Sequence, residues 1–456
     1  MIDREFLVID IETTSTDVNI AEVRVFGAYD PYEDKYFIYK WNDTNMAKVV
    51  ELLATYKLII TFNGKKYDIP ILKKYGIPID FKHVDIYEIF KYKRTQLIRP
   101  QGFDSYSLKA LILQLGLDPV GKGDIDYKIF CKPVWTVQEQ RQIILYLKQD
   151  LLLTWKLWDY LLTRFRIFES FISEKDRSLY KHITTPLYLL AYKIICNGAQ
   201  VQELYDEKPK PQTFPKPIIS TPRRHTSDNA VLFKFTYLYA HIIMQFNLAS
   251  VECDCCNPNS GEGKFHGKNF YTVKGYYCQK NLGRIEKFLK QLYKDSNNIP
   301  GYDIVADIVF RKVYEVFTNP LFYSVYDVDA AYDMYLLAKQ QLKMMMRKFE
   351  DAGFLVLYID MDQVFIHIPP GKTLGELLSA KDNIITYMKS KMPFPSETFD
   401  LLLCEELSYL TFFKKSGKDP FMRKGMYVYI NKEGFVGAKG VDNDTVNKIV
   451  QEYGVV

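Results

Sequence analysis

The chain has no apolar run of the roughly 18 residues that a membrane-spanning helix needs, and no recognisable signal peptide. It has only 7 cysteines in 456 residues, too few for the disulfide framework of a secreted scaffold. Its formal net charge is only +5, which permits a polyanionic partner without requiring one. These absences argue against membrane and secreted classes, and we expect a cytoplasmic protein with no membrane partner.

Aromatic residues are abundant instead, with 35 Tyr and 30 Phe. Aromatic rings with interspersed lysines suit stacking on nucleic-acid bases, although core packing is their default use. The chain is also too long for one hydrophobic core, so two or three domains are expected.

Strands alternate with helices up to about Ser173, which predicts an α/β domain over residues 1–173. The runs "FLVIDIET" and "YKLIITFN" are typical of strands. A long helical stretch begins at Thr136, with Glu139 three residues on, which is a capping-box pattern. Proline-rich sequence then predicts a linker or strap over 174–229, and mixed strands and helices from Ala230 onward indicate an α+β unit.

Four acidic residues and one tyrosine stand out in the first domain. Asp10 and Glu12 alternate along one strand and share a face, where they form either a solvated edge or a cation site. Asp68 follows a glycine-containing turn, and Tyr146 lies one helical turn before Asp150 on a largely apolar helix. Carboxylates in this number suit two divalent cations that together hydrolyse a phosphodiester.

This set resembles the tyrosine-bearing branch of the DEDD 3′→5′ exonucleases, and "DSYSLKALILQLGL" lies where that family has its intervening segment. The resemblance implies an RNase H-like fold, with Asp10, Glu12, Asp68 and Asp150 as ligands of two Mg²⁺ or Mn²⁺ ions. It implies that Tyr146 positions the attacking water. Asn63, in the Asn-x-x-x-x-Asp turn, is expected to contact DNA. The alternative is a folded but inactive domain.

Three further stretches carry a second resemblance. "LVLYIDMDQVFIHI" predicts a hairpin with Asp360 and Asp362 at its tip, which is either a metal-binding pair or ordinary turn chemistry. "KFTYLYAHIIMQFN" resembles the first palm motif of family B DNA polymerases. "FRKVYEVFTNPLFY" lies between the two, where that family has its fingers-helix motif.

The layout resembles a reduced, archaeal-type family B DNA polymerase. The resemblance implies an α/β RNase H-like exonuclease domain plus an α+β polymerase palm with reduced fingers and a truncated thumb. It implies the first part of the palm at 230–282, reduced fingers at 283–325, the second part of the palm at 326–415 and a vestigial thumb at 416–456.

The departures from that family are concentrated at its polymerase site. Lys234 stands where the motif has its catalytic Asp, and Glu315 where it has a triphosphate-binding Lys, while Tyr239 and Asn319 match. We therefore expect synthesis by this chain to be absent or very weak. We also expect the Lys234 ammonium to neutralise Asp360 or Asp362 in a buried ion pair.

Cysteines cluster at Cys253, Cys255 and Cys256, with Cys278 further along. The spacing lacks the Cys-x-x-Cys pairs of zinc sites, so zinc is not favoured, although zinc and free thiols both stay open. Several heat-loving archaeal family B polymerases carry a disulfide in this region, and the resemblance implies one from Cys278 to a cysteine of the cluster.

The expected function is 3′→5′ hydrolysis of single-stranded DNA or frayed primer ends, with primer–template DNA as the other partner. Lys414 and Lys415 are expected to contact phosphates at the palm–thumb junction. The resemblance places the protein with the prokaryotic nucleoid and a replisome or repair partner. The rival functions are a polymerase with an unusual site and a non-catalytic DNA-binding accessory protein.

Overall fold

The computed structural model describes residues 5–79, 81–93, 95–98, 102–118, 124–172, 181–203, 222–223, 225–248, 277–278, 281–322, 325, 328–360, 362–414 and 422–453. The chain divides into two compact units, Met1–Leu190 and Ala191–Val456. Within the described ranges, no helix is both long and apolar enough to cross a membrane.

The first unit alternates strands and helices. Its strands are β1 (Phe6–Thr13), β2 (Val23–Asp30), β3 (Lys35–Lys40), β4 (Leu58–Thr61) and β5 (Lys82–Asp85). Its helices are α1 (Asp43–Ala54), α2 (Asp68–Lys74), α3 (Ile86–Glu88), α4 (Thr95–Ile98), α5 (Leu108–Gln114), α6 (Val137–Phe165), α7 (Lys181–Thr184) and α8 (Leu187–Gly198), which crosses into the second unit. A π-helix spans Ile89–Lys93, and 3-10 helices span Tyr127–Cys131 and Arg166–Phe171.

The five strands form one mixed sheet in the order β3-β2-β1-β4-β5. β1 pairs antiparallel with β2 and parallel with β4, so it lies in the middle of the sheet. Its alternate residues Leu7, Ile9 and Ile11 enter the main core with residues of α1 and α2. The opposite face of β1 is therefore the one that presents Asp10 and Glu12, as the alternation predicted.

Helix α6 begins with the predicted capping box. The Thr136 hydroxyl accepts from the Glu139 backbone N–H, and the Glu139 carboxylate accepts from the Thr136 backbone N–H. Along the helix, a buried stripe that includes Leu147 and Leu151 packs on the sheet. At Gly27 of β2 the approach is so close that a Cβ would lie 2.7 Å from the Leu147 Cγ. Gly27 also pairs with Asp10 in the sheet, so this contact sets the height of α6 above the carboxylates.

We predict that Gly27→Ala destabilises the first unit by about 1–3 kcal/mol, because the added methyl overpacks a closed contact. Nuclease activity should fall with it, since α6 would be pushed away from β1. Urea unfolding followed by circular dichroism measures the first effect. The matched control is Gly375→Ala, whose Cβ would come no closer than 3.9 Å to any neighbouring atom and which should cost almost nothing.

The second unit mixes longer helices with a second sheet. Its strands are β6 (Thr226–Ser227), β7 (Ala230–Phe235), β8 (Leu355–Asp360), β9 (Gln363–His367), β10 (Leu401–Lys414), β11 (Met422–Asn431) and β12 (Val436–Lys439). Its helices are α9 (Leu238–Phe246), α10 (Arg284–Ser296), α11 (Tyr302–Phe317), α12 (Val328–Asp351), α13 (Leu374–Ser390) and α14 (Asn443–Glu452). α7 and α8 both lie within the 174–229 range, of which only part is described.

The second sheet has the strand order β12-β11-β10-β7-β9-β8, with β6 on β10. The predicted hairpin is present as β8 and β9, and the stretch that resembles the first palm motif forms the end of β7, a corner at Tyr237 and α9. Tyr237 makes the corner in the left-handed region at φ 50°, and Asn247 ends the helix in the same region at φ 56°. The corner brings the end of β7 next to the tip of the hairpin, where the Phe235 N–H donates to the Asp362 carbonyl at 2.8 Å.

The sheet is curled. Strands β8 and β11 are not neighbours in the strand order, yet the Tyr358 hydroxyl of β8 accepts from the Gly425 N–H of β11 at 2.6 Å. Tyr358 also packs edge-on against Phe412 and Tyr427 inside a buried aromatic cluster. The curl carries the edge strand β12 towards the carboxylate end of β8.

Candidate active site

Three carboxylates of the first unit meet where β1 and α6 face each other. Asp10 and Glu12 come from β1, and Asp150 comes from α6. One oxygen atom from each lies within 4.8 Å of the others, and Glu12 and Asp150 are buried. Three like charges this close repel one another in a low-dielectric setting unless a cation lies between them.

The chemistry of this donor set fits a divalent cation. Carboxylate oxygens are hard ligands of the kind that Mg²⁺ and Mn²⁺ prefer. The sequence predicted all three residues as ligands, and the fold brings them together from positions up to 140 residues apart in the chain. The arrangement is consistent with a divalent metal centre.

Asp68, the fourth predicted ligand, lies in the same cleft but not within that three-residue cluster. It is the first residue of α2 and is buried. Its Oδ1 accepts from the Ile11 N–H at 3.1 Å, which fixes it beside β1. Burial raises the pKa of Asp68 to about 7, because desolvation outweighs the backbone hydrogen bonds that favour the charged form. Its direct ligation of a metal remains a prediction.

Tyr146 lies one helical turn before Asp150 and is buried. Burial, followed by the nearby Asp150 charge, raises the pKa of its hydroxyl well above the usual range. The hydroxyl therefore stays protonated and can donate as well as accept a hydrogen bond. The Tyr127 hydroxyl lies 2.9 Å from it.

Asp85 is a residue that the sequence reasoning missed. It ends β5, and its carboxylate accepts from the backbone N–H groups of Asn63, Lys65 and Tyr87 at 2.8, 3.1 and 3.0 Å. Burial raises the pKa of Asp85, while these three donors oppose the shift. Asn63 is held by them in the left-handed region at φ 63° and lines the cleft. A lone Asp at a strand end carried no local signal for this role.

The cleft around the carboxylates has a volume of about 670 Å³. Besides the predicted residues, its lining includes Tyr127, Lys128 and Tyr67. The Tyr67 hydroxyl makes short contacts with the Thr13 hydroxyl and the Ser15 carbonyl, which ties the end of β1 to the turn before α2. The cleft is large enough for a nucleotide and has an acidic floor.

In the second unit, the predicted pairing of Lys234 with a palm carboxylate is present, but its predicted burial is wrong. The Lys234 Nζ lies 3.6 Å from Asp362 Oδ2, and the two side chains are 43% and 36% exposed. Lys234 is the penultimate residue of β7, so its ammonium reaches the open cleft at the sheet end rather than the core. A pair this exposed contributes little to stability.

Asp360 has a different lysine partner, which the sequence reasoning missed. The Lys439 Nζ of β12 lies 2.5 Å from Asp360 Oδ2, and the Asp360 side chain is 0% exposed. The curl of the sheet makes this contact between its two edge strands. Lys439 comes 79 residues after Asp360, and no motif marks it. Both palm carboxylates thus have a lysine as counter-ion.

The fingers-motif position offers no cation. Glu315 on α11 pairs with Lys312 at 2.6 Å and is half exposed. One turn earlier, Arg311 lines a cleft of about 280 Å³ together with Lys234 and Asp362. The Arg311 Nε donates to Asp307 at 2.6 Å, and Asp307 also accepts from the Tyr237 hydroxyl at 2.9 Å. The cationic and anionic side chains of this cleft are therefore already engaged with each other.

The remaining predicted residues are placed as follows. The Tyr239 ring packs on that of Tyr314 at 4.6 Å, and Asn319 Oδ1 accepts from the Leu321 N–H at 3.0 Å just after α11. Lys414 ends β10, and Cys278 is buried with its sulfur accepting from the Asn281 N–H at 3.2 Å. Outside the described residues lie Lys415, Cys253, Cys255 and Cys256, and the disulfide prediction falls there.

His241 occupies the place of a serine in the polymerase motif and is fully buried on α9 between the rings of Tyr293 and Phe399. Neither ring nitrogen has a hydrogen-bond partner among the described residues. Burial lowers its pKa to about 3, with the Lys389 charge adding to the effect. The folded protein therefore keeps this imidazole neutral.

We predict that His241→Leu reduces acid sensitivity. Because the folded pKa lies below the unfolded value near 6.5, the unfolded chain binds a proton that the folded chain excludes as pH falls from about 6.5 to 3. Wild type should thus lose about 2 kcal/mol more stability between pH 7 and pH 5 than the variant does. Urea midpoints at the two pH values measure the difference, and equal losses in the two proteins would refute the prediction.

Comparison with known proteins agrees with this geometry. A model of the RNase H superfamily matches residues 7–162. "DNA polymerase 1" of Saccharolobus solfataricus is 22% identical to this chain, and the alignment covers 93% of this chain and 50% of the relative. "DNA polymerase 1" of Aeropyrum pernix is 21% identical, covering 75% of this chain and 40% of its own. The chain spans about half the length of these curated relatives or less.

A solved structure is similar over nearly the whole chain. The family B DNA polymerase from the hyperthermophilic archaeon Pyrobaculum calidifontis aligns with a TM-score of 0.56 and 14% identity, and the alignment covers 98% of this chain and 64% of the other. At this identity the likeness concerns the fold. It confirms the predicted combination of an RNase H-like α/β fold with a palm-like unit.

Proposed function

We propose that the chain is a metal-dependent 3′→5′ exonuclease, because an RNase H superfamily model matches its first unit and the chain is similar to archaeal DNA polymerases 1 and to a family B DNA polymerase structure. Its substrate would be single-stranded DNA or a frayed primer end. The observation that carries the proposal is the convergence of Asp10, Glu12 and Asp150 within 4.8 Å, in a cleft that also contains Tyr146 and Asp68.

In this proposal Asp10, Glu12 and Asp150 would hold Mg²⁺ or Mn²⁺, and Asp68 would support a second ion. When bound, the ions would supply charge neutralisation at the phosphate and would lower the pKa of the attacking water. Tyr146, kept protonated by its surroundings, orients that water by hydrogen bonding. The water oxygen bonds to phosphorus, the bond from phosphorus to the 3′ oxygen breaks, and that oxygen takes a proton. The products are a nucleoside 5′-monophosphate and a strand shorter by one nucleotide.

We further propose that the polymerase site is silent. Two-metal nucleotidyl transfer needs free carboxylates on the palm strands. Here Asp362 lies beside Lys234 and Asp360 beside Lys439, so both carboxylates have a tethered cation. At the fingers-motif position, Glu315 places a carboxylate paired with Lys312 where a triphosphate-binding cation is expected. The palm would then serve as a surface for DNA or for a replication or repair partner.

The test is hydrolysis of a 5′-labelled single strand in Mg²⁺ or Mn²⁺, with EDTA as the negative control. A ladder of products shortened one nucleotide at a time from the 3′ end supports the nuclease. A primer–template with all four nucleotides is tested beside it. Primer extension would refute the silent palm, and an absence of both ladder and extension would favour the non-catalytic accessory function.

A further inference from the structure

The mouth of the nuclease cleft carries an aromatic residue that the proposed chemistry has not used. Tyr127 is 60% exposed, yet it lines the cleft with the carboxylates. Its hydroxyl lies 2.9 Å from that of Tyr146, and the two rings meet edge-on with centroids 6.4 Å apart and planes at 83°. The hydroxyl of Tyr127 therefore contacts a residue of the site, while its ring is accessible to solvent.

The backbone that carries Tyr127 is well anchored. Asp126 caps the 3-10 helix by accepting from the Lys128 N–H at 3.0 Å. Within the same helix, Phe130 is fully buried, and the Ile129 carbonyl accepts from the Trp135 indole N–H at 2.8 Å. The Cys131 thiol donates to the Thr14 carbonyl at 3.3 Å, just beyond β1. The exposure of Tyr127 is thus a fixed feature of the cleft.

Resting on the proposed function, we infer that Tyr127 is the substrate-facing member of a tyrosine pair. Its hydroxyl positions that of Tyr146, and its ring stacks on the base of the terminal nucleotide. Stacking is available to every base, because each has a π face, so this contact would hold a strand end without selecting its sequence. Each of the two hydroxyl groups can donate or accept the hydrogen bond between them. The Tyr127 hydroxyl therefore also determines the direction in which the Tyr146 hydroxyl donates its proton.

The two parts of Tyr127 can be separated by substitution. Tyr127→Phe keeps the ring and removes the hydroxyl, so it should lower kcat about 10-fold with KM unchanged. Tyr127→Leu removes the ring as well, so it should also weaken binding of a strand end on the order of 10-fold or more. If Tyr127 had only a structural role, the two substitutions would not separate an effect on kcat from an effect on KM.

The full chain is tested with a single strand that carries 2-aminopurine as its 3′-terminal base. Fluorescence quenching in Ca²⁺ reads stacking and affinity without turnover, and hydrolysis in Mg²⁺ gives kcat and KM. Wild type and Tyr127→Phe should quench equally, while Tyr127→Leu should lose the quenching. The matched control is Tyr32→Leu, a 54% exposed tyrosine whose ring stacks on Phe6 at the start of β1, and this variant should behave as wild type.

The outcomes distinguish this inference from the proposed function. If wild type degrades the strand and both Tyr127 variants match it in kcat, KM and quenching, the inference is overturned and the nuclease stands. Equal quenching by wild type and Tyr127→Leu overturns the stacking contact. An unchanged kcat in Tyr127→Phe overturns the positioning of Tyr146. If wild type degrades nothing, the proposed function fails, and the quenching still decides the stacking contact.

Discussion

Asp150→Asn should abolish the nuclease, with a loss on the order of 10³-fold, or about 4 kcal/mol of transition-state stabilisation. The amide keeps the size of the carboxyl and removes the charge that α6 contributes to the three-carboxylate cluster. The capping box and the closed contact at Gly27 fix α6, so the amide occupies the place of the carboxylate beside Asp10 and Glu12. The measurement is the rate of product formation from a 5′-labelled strand under single-turnover conditions.

Stability separates this effect from misfolding. Without metal, Asp150 adds to the repulsion among three close carboxylates, so Asp150→Asn should unfold at the same or a higher temperature than wild type in EDTA. The control is Asp159→Asn, which makes the same change on an exposed site of the same helix and should retain full activity. If Asp150→Asn keeps most of the wild-type activity, the reaction does not depend on this cluster.

Replacing both palm lysines should create a metal site that the wild type lacks. With Lys234→Asp and Lys439→Ala, three carboxylates would face the end of the curled sheet without either lysine, since residue 234 of β7 pairs with Gln363 of β9, which pairs in turn with Asp360 of β8. We expect Mn²⁺ to bind there at least about 10-fold more tightly than to the parent, or about 1.4 kcal/mol. The parent carries Asp10→Asn and Asp150→Asn, so that the first unit contributes little binding.

Electron paramagnetic resonance of free Mn²⁺ measures the binding. Lys439→Ala alone should cost about 2 kcal/mol of stability, because it leaves the Asp360 charge buried without this partner. This figure is lower than for a fully buried pair, because the lysine side chain is 46% exposed. Added Mn²⁺ should raise the melting temperature of the protein that carries Lys234→Asp and Lys439→Ala. It should leave the melting temperature of the parent unchanged. Lys432→Ala, which removes an exposed lysine paired with Glu406, is the control. Mn²⁺ bound equally well by the parent would refute the counter-ion role of the lysines.

Local patterns in the sequence predicted much of what positions the nuclease site. The alternation of Asp10 and Glu12 gave their shared face, and the capping box at Thr136 gave the start of α6. The one-turn spacing of Tyr146 and Asp150 gave their common orientation. Each of these features depends on residues at most four positions apart, where backbone geometry alone decides the outcome.

The features that were missed or wrong depend on distant contacts. Lys439 reaches Asp360 only because the sheet curls, and nothing in "VGAK" indicates that. Asp85 acts through backbone N–H groups, which leave no trace in residue types. The Lys234 pair was expected to be buried because its strand is apolar, but its place near the strand end exposes it to the cleft. Tyr127 is one of many tyrosines, and only its position identifies it.

The central claim is that a metal centre exists in the first unit and that none remains in the palm. Anomalous diffraction from crystals soaked in Mn²⁺ tests both halves at once. We predict a peak bounded by Asp10, Glu12 and Asp150, and no peak at Asp360 or Asp362. A peak between the palm carboxylates, or palm density with an empty first-unit cluster, would contradict it.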